Sequence, residues 1–230
     1  MTKESYAAII VAGGRGERMG ANCPKQFLSV NGKEIIEYTI DTFVRSKIFS
    51  QIVVVCHKDY LAHTSEMAKS YERMTMFCVT EGGQTRQESV VCGLNQITDA
   101  EYVMIHDAVR CCVKESDILK LCSALKKSDG CALGVKVTDT IKMSDDSLNI
   151  VSTVDRTNLW HIQTPQAFRT SVIMDAHKKA YDSGFNATDD CSVAEFAGVN
   201  VKIVEGSYSN IKITTPSDIL LAQQYLKDGC

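Results

Sequence analysis

A single α/β domain is the fold the sequence predicts, with a mostly parallel sheet, helices on both faces and one projecting β-arm. Three observations carry the prediction. Short apolar runs alternate with amphipathic helical stretches from the N-terminus to about residue 137, the rhythm of right-handed βαβ units. Two Gly-Gly pairs, Gly13-Gly14 and Gly82-Gly83, each stand directly behind such a run, where open α/β sheets gather ligands. A length of 230 residues suits one substantial core, so the whole chain, 1–230, reads as one domain.

The first run, Ala7 to Ala12, is short and rich in β-branched residues, as expected of a strand buried on both faces. In the loop that follows, Gly13, Gly14 and Gly16 expose backbone N–H groups, and Arg15, Arg18 and Lys25 add positive charge. A dinucleotide-binding G-x-G-x-x-G starting at Gly14 would need glycine where Met19 stands, and the Gly-Lys-Ser/Thr of a P-loop is absent. A turn that merely connects two elements is one reading. A polyphosphate site is the other, and three cations among the glycines favour it.

Asn31-Gly32-Lys33 reads as a tight turn, and Ile35 to Arg45 as a helix with Ile36, Ile40 and Phe43 on one face. Ile52 to Cys56 and Met76 to Val79 are strands, separated by a helix over His57 to Lys69 with Leu61 and Met67 inward. The second glycine loop then leads into a helix through Glu81 to Leu94. Tyr102 to Ile105 is a strand ending in His106-Asp107, where a carboxylate serves either an internal ion pair or a metal-bound triphosphate. His106 reads as a hydrogen-bonded core residue.

Ile118, Leu121, Cys122 and Leu125 form the apolar face of a helix over Lys114 to Ser128, and Gly130 to Val137 returns as a strand. Thr138 to Leu159 holds two short β-like runs with too little apolar content for a core of their own, a hairpin candidate taken as an arm over 138–160. Ser171 to Asp182 and Ser192 to Phe196 are helices; Asp189-Asp190 before the second reads first as a cap and second as a metal pair. Val199 to Glu205 and Asn210 to Thr214 are strands, and Thr215, Pro216 and Asp218 start a closing helix to Leu226.

The formal net charge is -3, and no basic cluster tracks a nucleic-acid backbone. The apolar run behind the polar start is too short for a membrane span or secretory segment, so a cytoplasmic protein is expected. Ten cysteines show no C-x-x-C pairing and the five histidines no H-x-x-x-H pattern, which argues for reduced thiols and against a structural metal.

GGRGERMG followed by PKQFL, then GGQTRQESV, HDAVR, TVDR and TPQAF, resembles the 2-C-methyl-D-erythritol 4-phosphate cytidylyltransferase family over almost the whole chain. The resemblance implies a Rossmann-like, GT-A-like nucleotidyltransferase domain that joins CTP to a phosphorylated sugar alcohol with Mg²⁺. It implies Arg18 and Lys25 as the cations that stabilise the transition state. Arg156, Lys212, Thr140, Thr188 and Arg110 would position the acceptor's phosphate. Ala12, Gly13, Gly14, Gly16, Gly82, Gly83, Arg86, Ser89 and Asp107 would bind the nucleotide, with Asp107 also near the metal. The arm would exchange between two subunits of a homodimer, so that Thr140 and Arg156 complete the neighbour's site. Where the family pattern reads HDAARP, Val109 and Cys111 depart from it while His106, Asp107 and Arg110 are kept. Two alternatives stay open: a sister enzyme that makes CDP-ribitol, and a non-catalytic nucleotide-binding protein.

Overall fold

Strand β1 (Tyr6–Ala12) is buried along nearly its whole length, and its alternation sorts the core into two layers. The computed structural model describes residues 4–14 and 23–227. Ala8 and Ile10 face one layer with Ile36, Ile40 and Phe43 of α1 (Ile35–Arg45) and with Ile118, Leu121 and Leu125 of α4 (Glu115–Leu125). Ile9 faces the other, with Val90 and Leu94 of α3 (Arg86–Leu94), Ile173 and Ala176 of α5 (Thr170–Asp182), and Val193 of α6 (Asp190–Phe196). Helices therefore cover both faces of the sheet, and the apolar runs read as strands because both their faces are buried.

The sheet has seven strands. β4 (Phe49–Cys56) lies beside β1 on one side and β6 (Tyr102–Asp107) on the other, both parallel to it, and β5 (Met76–Glu81) extends the parallel ladder beyond β4. β7 (Gly130–Lys136) pairs in parallel with β11 (Val201–Glu205) at the far edge. Between β6 and β7 runs β10 (Trp160–Arg169), antiparallel to both, so the order is β11-β7-β10-β6-β1-β4-β5. The tight turn joins β2 (Ser29–Val30) to β3 (Lys33–Glu34), with Asn31 at φ 51° and Gly32 at φ 83°, the left-handed pair that a two-residue hairpin requires. Glu34 then caps α1 by accepting from the Glu37 N–H, and its own N–H donates in return to Glu37 Oε2 at 2.8 Å.

The hairpin expected within Thr138 to Leu159 is β8 (Ile141–Ser144) paired with β9 (Ile150–Val154), a two-stranded sheet that joins no strand of the main one. It leaves Met143, Leu148, Ile150 and Val151 exposed, Leu148 at 85 %.

Three readings change. β10 forms inside a stretch read only as a substrate-closing block, because Gln163, Thr164 and Gln166 are polar yet buried, and no apolar run announces the strand. Asn210 to Thr214 alternates like a strand but forms none; Ile213 alone donates its N–H to the Val109 carbonyl, at 3.0 Å. The helix over His57 to Lys69 divides into a 3-10 turn, Lys58–Tyr60, and α2 (Leu61–Ala68). The closing helix, α7 (Pro216–Lys227), starts where Asp218 accepts from the N–H groups of Thr214 at 2.8 Å and Thr215 at 2.7 Å.

Candidate active site

At the carboxyl ends of β1, β4, β5 and β6 the loops part around a cleft of about 670 Å³. Strand ends and helix starts meet here, the place where open α/β sheets bind ligands.

The first wall is the end of β1 with the segment that returns to it. Ala12, Gly13 and Gly14 line the cleft, and so does Lys25, which begins a 3-10 turn, Lys25–Phe27. Gln26, 2 % exposed, fastens that turn to the glycine loop: its Nε2 donates to the carbonyls of Ala12 at 2.6 Å and Gly14 at 3.0 Å. Lys25 is thereby set at the loop's mouth. Arg18 and Gly16 lie outside the described residues.

The second wall is the loop after β5 and the start of α3. Thr85 caps the helix by accepting from Glu88 N–H at 3.1 Å, and Glu88 Oε2 accepts from Gln84 N–H at 2.7 Å. Gly82 must be glycine for the loop to lie this close: a Cβ there would stand 2.7 Å from Ser89 Oγ and 3.2 Å from Val55 Cγ1. The Ser89 hydroxyl donates to the Thr85 carbonyl at 2.9 Å. Gly82, Gly83, Arg86 and Ser89 all face the cleft.

Asp107, at the tip of β6, is the centre of the site's charge. Arg86 Nε donates to its Oδ1 at 3.1 Å and Lys212 Nζ to its Oδ2 at 2.7 Å. Burial pushes the Asp107 carboxyl up, but Arg86 and Lys212 outweigh it and hold the group well below the usual carboxylate range. Arg86 has a second anion, with Nη2 donating to Asp190 Oδ2 at 2.8 Å. Burial opposes its charge; Asp190 and Asp107 more than restore it and raise its pKa.

His106 is a core residue, as its position at the end of a buried strand suggests. It is 0 % exposed, and burial pushes its pKa down to about 3. With Nε2 protonated the neutral ring donates to the Arg110 carbonyl, 3.2 Å away, and Nδ1 accepts from the Thr164 hydroxyl at 3.0 Å. The same hydroxyl accepts from Asp107 N–H at 3.0 Å. Thr164 therefore locks both residues.

Four expected residues do not line this cleft. Arg110 turns its Nη1 to the Asn210 carbonyl at 2.8 Å. Thr188 is exposed before α6, 3.5 Å from Ser192 Oγ. Thr140 and Arg156 are exposed at the base of the arm, where Arg156 donates to the Thr138 carbonyl. The paired acids before α6 divide their tasks: Asp189 caps the helix by accepting from Ser192 N–H at 2.9 Å, and Asp190 is the buried partner of Arg86.

A family model described as 2-C-methyl-D-erythritol 4-phosphate cytidylyltransferase matches residues 6–228. The chain belongs to that family. It is 40 % identical over 222 residues to the 2-C-methyl-D-erythritol 4-phosphate cytidylyltransferase of Geobacillus kaustophilus (strain HTA426), covering 96 % of this chain and 97 % of that one. It is also 40 % identical to the protein of that name from Clostridium novyi (strain NT), over 96 % of each. Among solved structures, 4-diphosphocytidyl-2C-methyl-D-erythritol synthase from Anaerococcus prevotii DSM 20548 matches with a TM-score of 0.86 at 35 % identity, covering 98 % of this chain and 99 % of that chain. The Francisella tularensis 2-C-methyl-D-erythritol 4-phosphate cytidylyltransferase matches with a TM-score of 0.81 at 32 % identity, over 96 % and 100 %. The mostly parallel sheet with helices on both faces is thus the nucleotidyltransferase fold of these structures.

In this member of the cytidylyltransferase family, several supporting residues escaped the reading of the sequence. Gln26 was hidden inside PKQFL, and Asp190, read with Asp189 as a cap or a metal pair, is instead the partner of Arg86. Asn210, fully buried, donates to the Thr164 carbonyl at 2.9 Å and so ties the segment carrying Lys212 to β10. A polar residue bracketed by motif residues is the one signal that marks Gln26 in advance; nothing local marks Asp190, whose partner is Arg86.

The cleft can thus hold an extended anion: cations stand on two sides, two glycine loops line it, and the Asp107 carboxylate between them is already paired with Arg86 and Lys212. Among the described residues no group of three or more His, Cys, Asp or Glu side chains could hold a metal ion by itself, and no helix is long and apolar enough to cross a membrane.

Proposed function

We propose that the protein is a cytidylyltransferase that joins CTP and 2-C-methyl-D-erythritol 4-phosphate. A phosphate oxygen of the acceptor attacks the α-phosphorus of CTP, the bond from that phosphorus to the α–β bridging oxygen breaks, and 4-diphosphocytidyl-2-C-methyl-D-erythritol and pyrophosphate form. The observation that carries this reading is the convergence of Lys25 and Lys212 on one cleft, between two glycine loops, in a chain of this family. Attack by one anion on another is opposed by repulsion, and the transition state concentrates charge on the α-phosphoryl oxygens. Fixed cations offset both effects, and no protein nucleophile is needed.

Arg18 and Lys25 stabilise the phosphorus centre, and the backbone of Ala12, Gly13, Gly14, Gly16, Gly82 and Gly83, with Arg86 and Ser89, holds the nucleotide. Lys212 positions the acceptor's phosphate, and Arg110 supports the segment carrying Lys212 through the Asn210 carbonyl. Magnesium fits this donor set in the manner of a hard cation shared with a polyphosphate: Asp107 would hold it together with the nucleotide's own oxygens. When bound it neutralises phosphate charge. The arm makes the protein a homodimer in which Thr140 and Arg156 reach the partner's cleft. The nine described cysteines are reduced thiols, which suits the reducing cytoplasm.

Pyrophosphate release from CTP, with methylerythritol phosphate and ribitol 5-phosphate offered side by side, tests the reading. Turnover with the first acceptor, lost to EDTA and restored by Mg²⁺, is expected. Preference for ribitol 5-phosphate would transfer the protein to the CDP-ribitol reaction, and no release with either would leave a nucleotide-binding protein.

A further inference from the structure

Beside Arg86 lies a pair of buried groups that the chemistry above does not use. Asp190 is 1 % exposed and His177, on α5, is 3 % exposed. Arg86 Nη2 donates to Asp190 Oδ2 at 2.8 Å, whereas Asp190 Oδ1 and both ring nitrogens of His177 have no hydrogen-bond partner. The two groups face each other all the same, with His177 Nε2 3.6 Å from Asp190 Oδ1. Buried polar groups left unpaired are rare and expensive, and a gap this slight closes with a small turn of either side chain.

Arg86 is shared between Asp107 and Asp190, and a triphosphate entering the cleft is a third and stronger claimant. If the guanidinium turned to it, Asp190 would be left as a buried carboxylate with no counter-group, which is strongly unfavourable. We infer that His177 is a positioning residue that holds Asp190 when Arg86 turns to the nucleotide's phosphates. As Nη2 leaves the carboxylate, the His177 Nε2–H closes on it, and the buried charge keeps a partner throughout. His177 touches no substrate; it acts through Asp190 and Arg86. The inference rests on the proposed use of this cleft by a nucleoside triphosphate.

The test is a calorimetric titration of the full chain with CTP, with thermal unfolding measured alongside. His177→Leu keeps the bulk and removes the donor, so CTP should bind about tenfold more weakly, the scale of one lost hydrogen bond to a charged group. His177→Gln, which can present an N–H to the same oxygen, should recover most of that affinity. Adding His177→Leu to Asp190→Asn should change CTP affinity no further, because the charge that needs holding is gone. Where His177→Leu does not fold, His177→Phe serves in its place. Wild-type affinity in His177→Leu, a loss that His177→Gln does not recover, or a further loss in the double variant would each overturn the inference. The titration needs no turnover, so failure of the proposed reaction and failure of this inference read out separately.

Discussion

Lys212 Nζ stands 2.7 Å from Asp107 Oδ2, and this contact brings a C-terminal segment outside the sheet to the tip of a central strand. The pair is the hinge of the proposed chemistry. A cation resting on a carboxylate beside a cleft is held ready for incoming phosphates, and the carboxylate it leaves keeps Arg86 as its partner.

Replacing Lys212 by Ala is therefore expected to lower pyrophosphate release by ~10²- to 10³-fold, or roughly 2.7 to 4 kcal/mol of transition-state stabilisation, as is Lys25→Ala. Stability should change little in Lys212→Ala, because the lysine is 40 % exposed and Arg86 still pairs with Asp107. Turnover measured with a urea melt separates the two effects; a slow variant with an unchanged melt is the predicted outcome.

Gln26 offers a different combination. Its two bonds to the carbonyls of Ala12 and Gly14 are the tie between the lysine turn and the glycine loop. Gln26→Glu keeps the shape but sets a carboxylate against two carbonyl oxygens. It should lose about 1 to 3 kcal/mol of stability, the usual penalty for a buried polar group left unpaired. The KM for CTP should rise, because the loop and Lys25 no longer share a frame. A melt together with KM values for both substrates checks this; a raised acceptor KM alone would contradict it.

How much of this was legible in the sequence depends on the range of the interactions involved. The two glycine loops, Arg86 and Asp107 could be placed because a strand end, a turn residue and a helix start lie within a few positions of one another. β10 could not, since its buried Gln163, Thr164 and Gln166 are stabilised by partners on other elements: Ser207, His106 and Asp189. Asn210 to Thr214 misled for the opposite reason. Its alternation is real, with Ile213 in a small apolar cluster beside Val109 and Cys112, but the segment packs against a turn and meets no strand edge. Asp190 was read with its sequence neighbour Asp189, whereas its structural neighbour Arg86 is 104 positions away.

Gly82 carries a packing prediction. A methyl at this position would press on Ser89 Oγ at 2.7 Å and Val55 Cγ1 at 3.2 Å, and the loop cannot retreat without leaving the cleft wall. Gly82→Ala should cost about 1 to 3 kcal/mol through overpacking and weaken CTP binding. Ser89→Ala added to it removes the nearest atom and should return part of the lost stability. Additive losses in the double variant, read by chemical denaturation, would show that the clash lies elsewhere.

Acid should unfold the protein partly through His106. Burial holds its native pKa at about 3, against 6.5 for the free side chain. The unfolded chain therefore takes up a proton as pH drops below about 6.5, while the native ring refuses it until about pH 3. Stability is present in full above the upper value and falls as pH goes down through this window, by about 1.4 kcal/mol per pH unit where the difference is one full proton. Asp107 acts in the same direction at lower pH: its depressed carboxyl favours the native state above its unfolded value of 3.8, and that contribution is lost on further acidification. Urea midpoints between pH 7 and pH 5 should fall more steeply for the wild type than for His106→Gln.

The arm yields a prediction that separates a shared site from a self-contained one. β8 and β9 expose Met143, Ile150 and Val151, and Arg156 and Thr140 lie at their base, away from the cleft of their own chain. If the proposed dimer brings Arg156 into the partner's cleft, Arg156→Ala disables only the neighbouring subunit's reaction centre. Lys25→Ala disables only its own. Each variant alone should be nearly inactive, yet subunits of the two, dissociated and reassembled together, should regain turnover. In such a mixed dimer one cleft carries both defects and the other neither. Turnover that stays at the level of the separate variants, in a preparation shown by mass to contain mixed dimers, would place Arg156 and Lys25 of one and the same chain in a single cleft, or Arg156 in none.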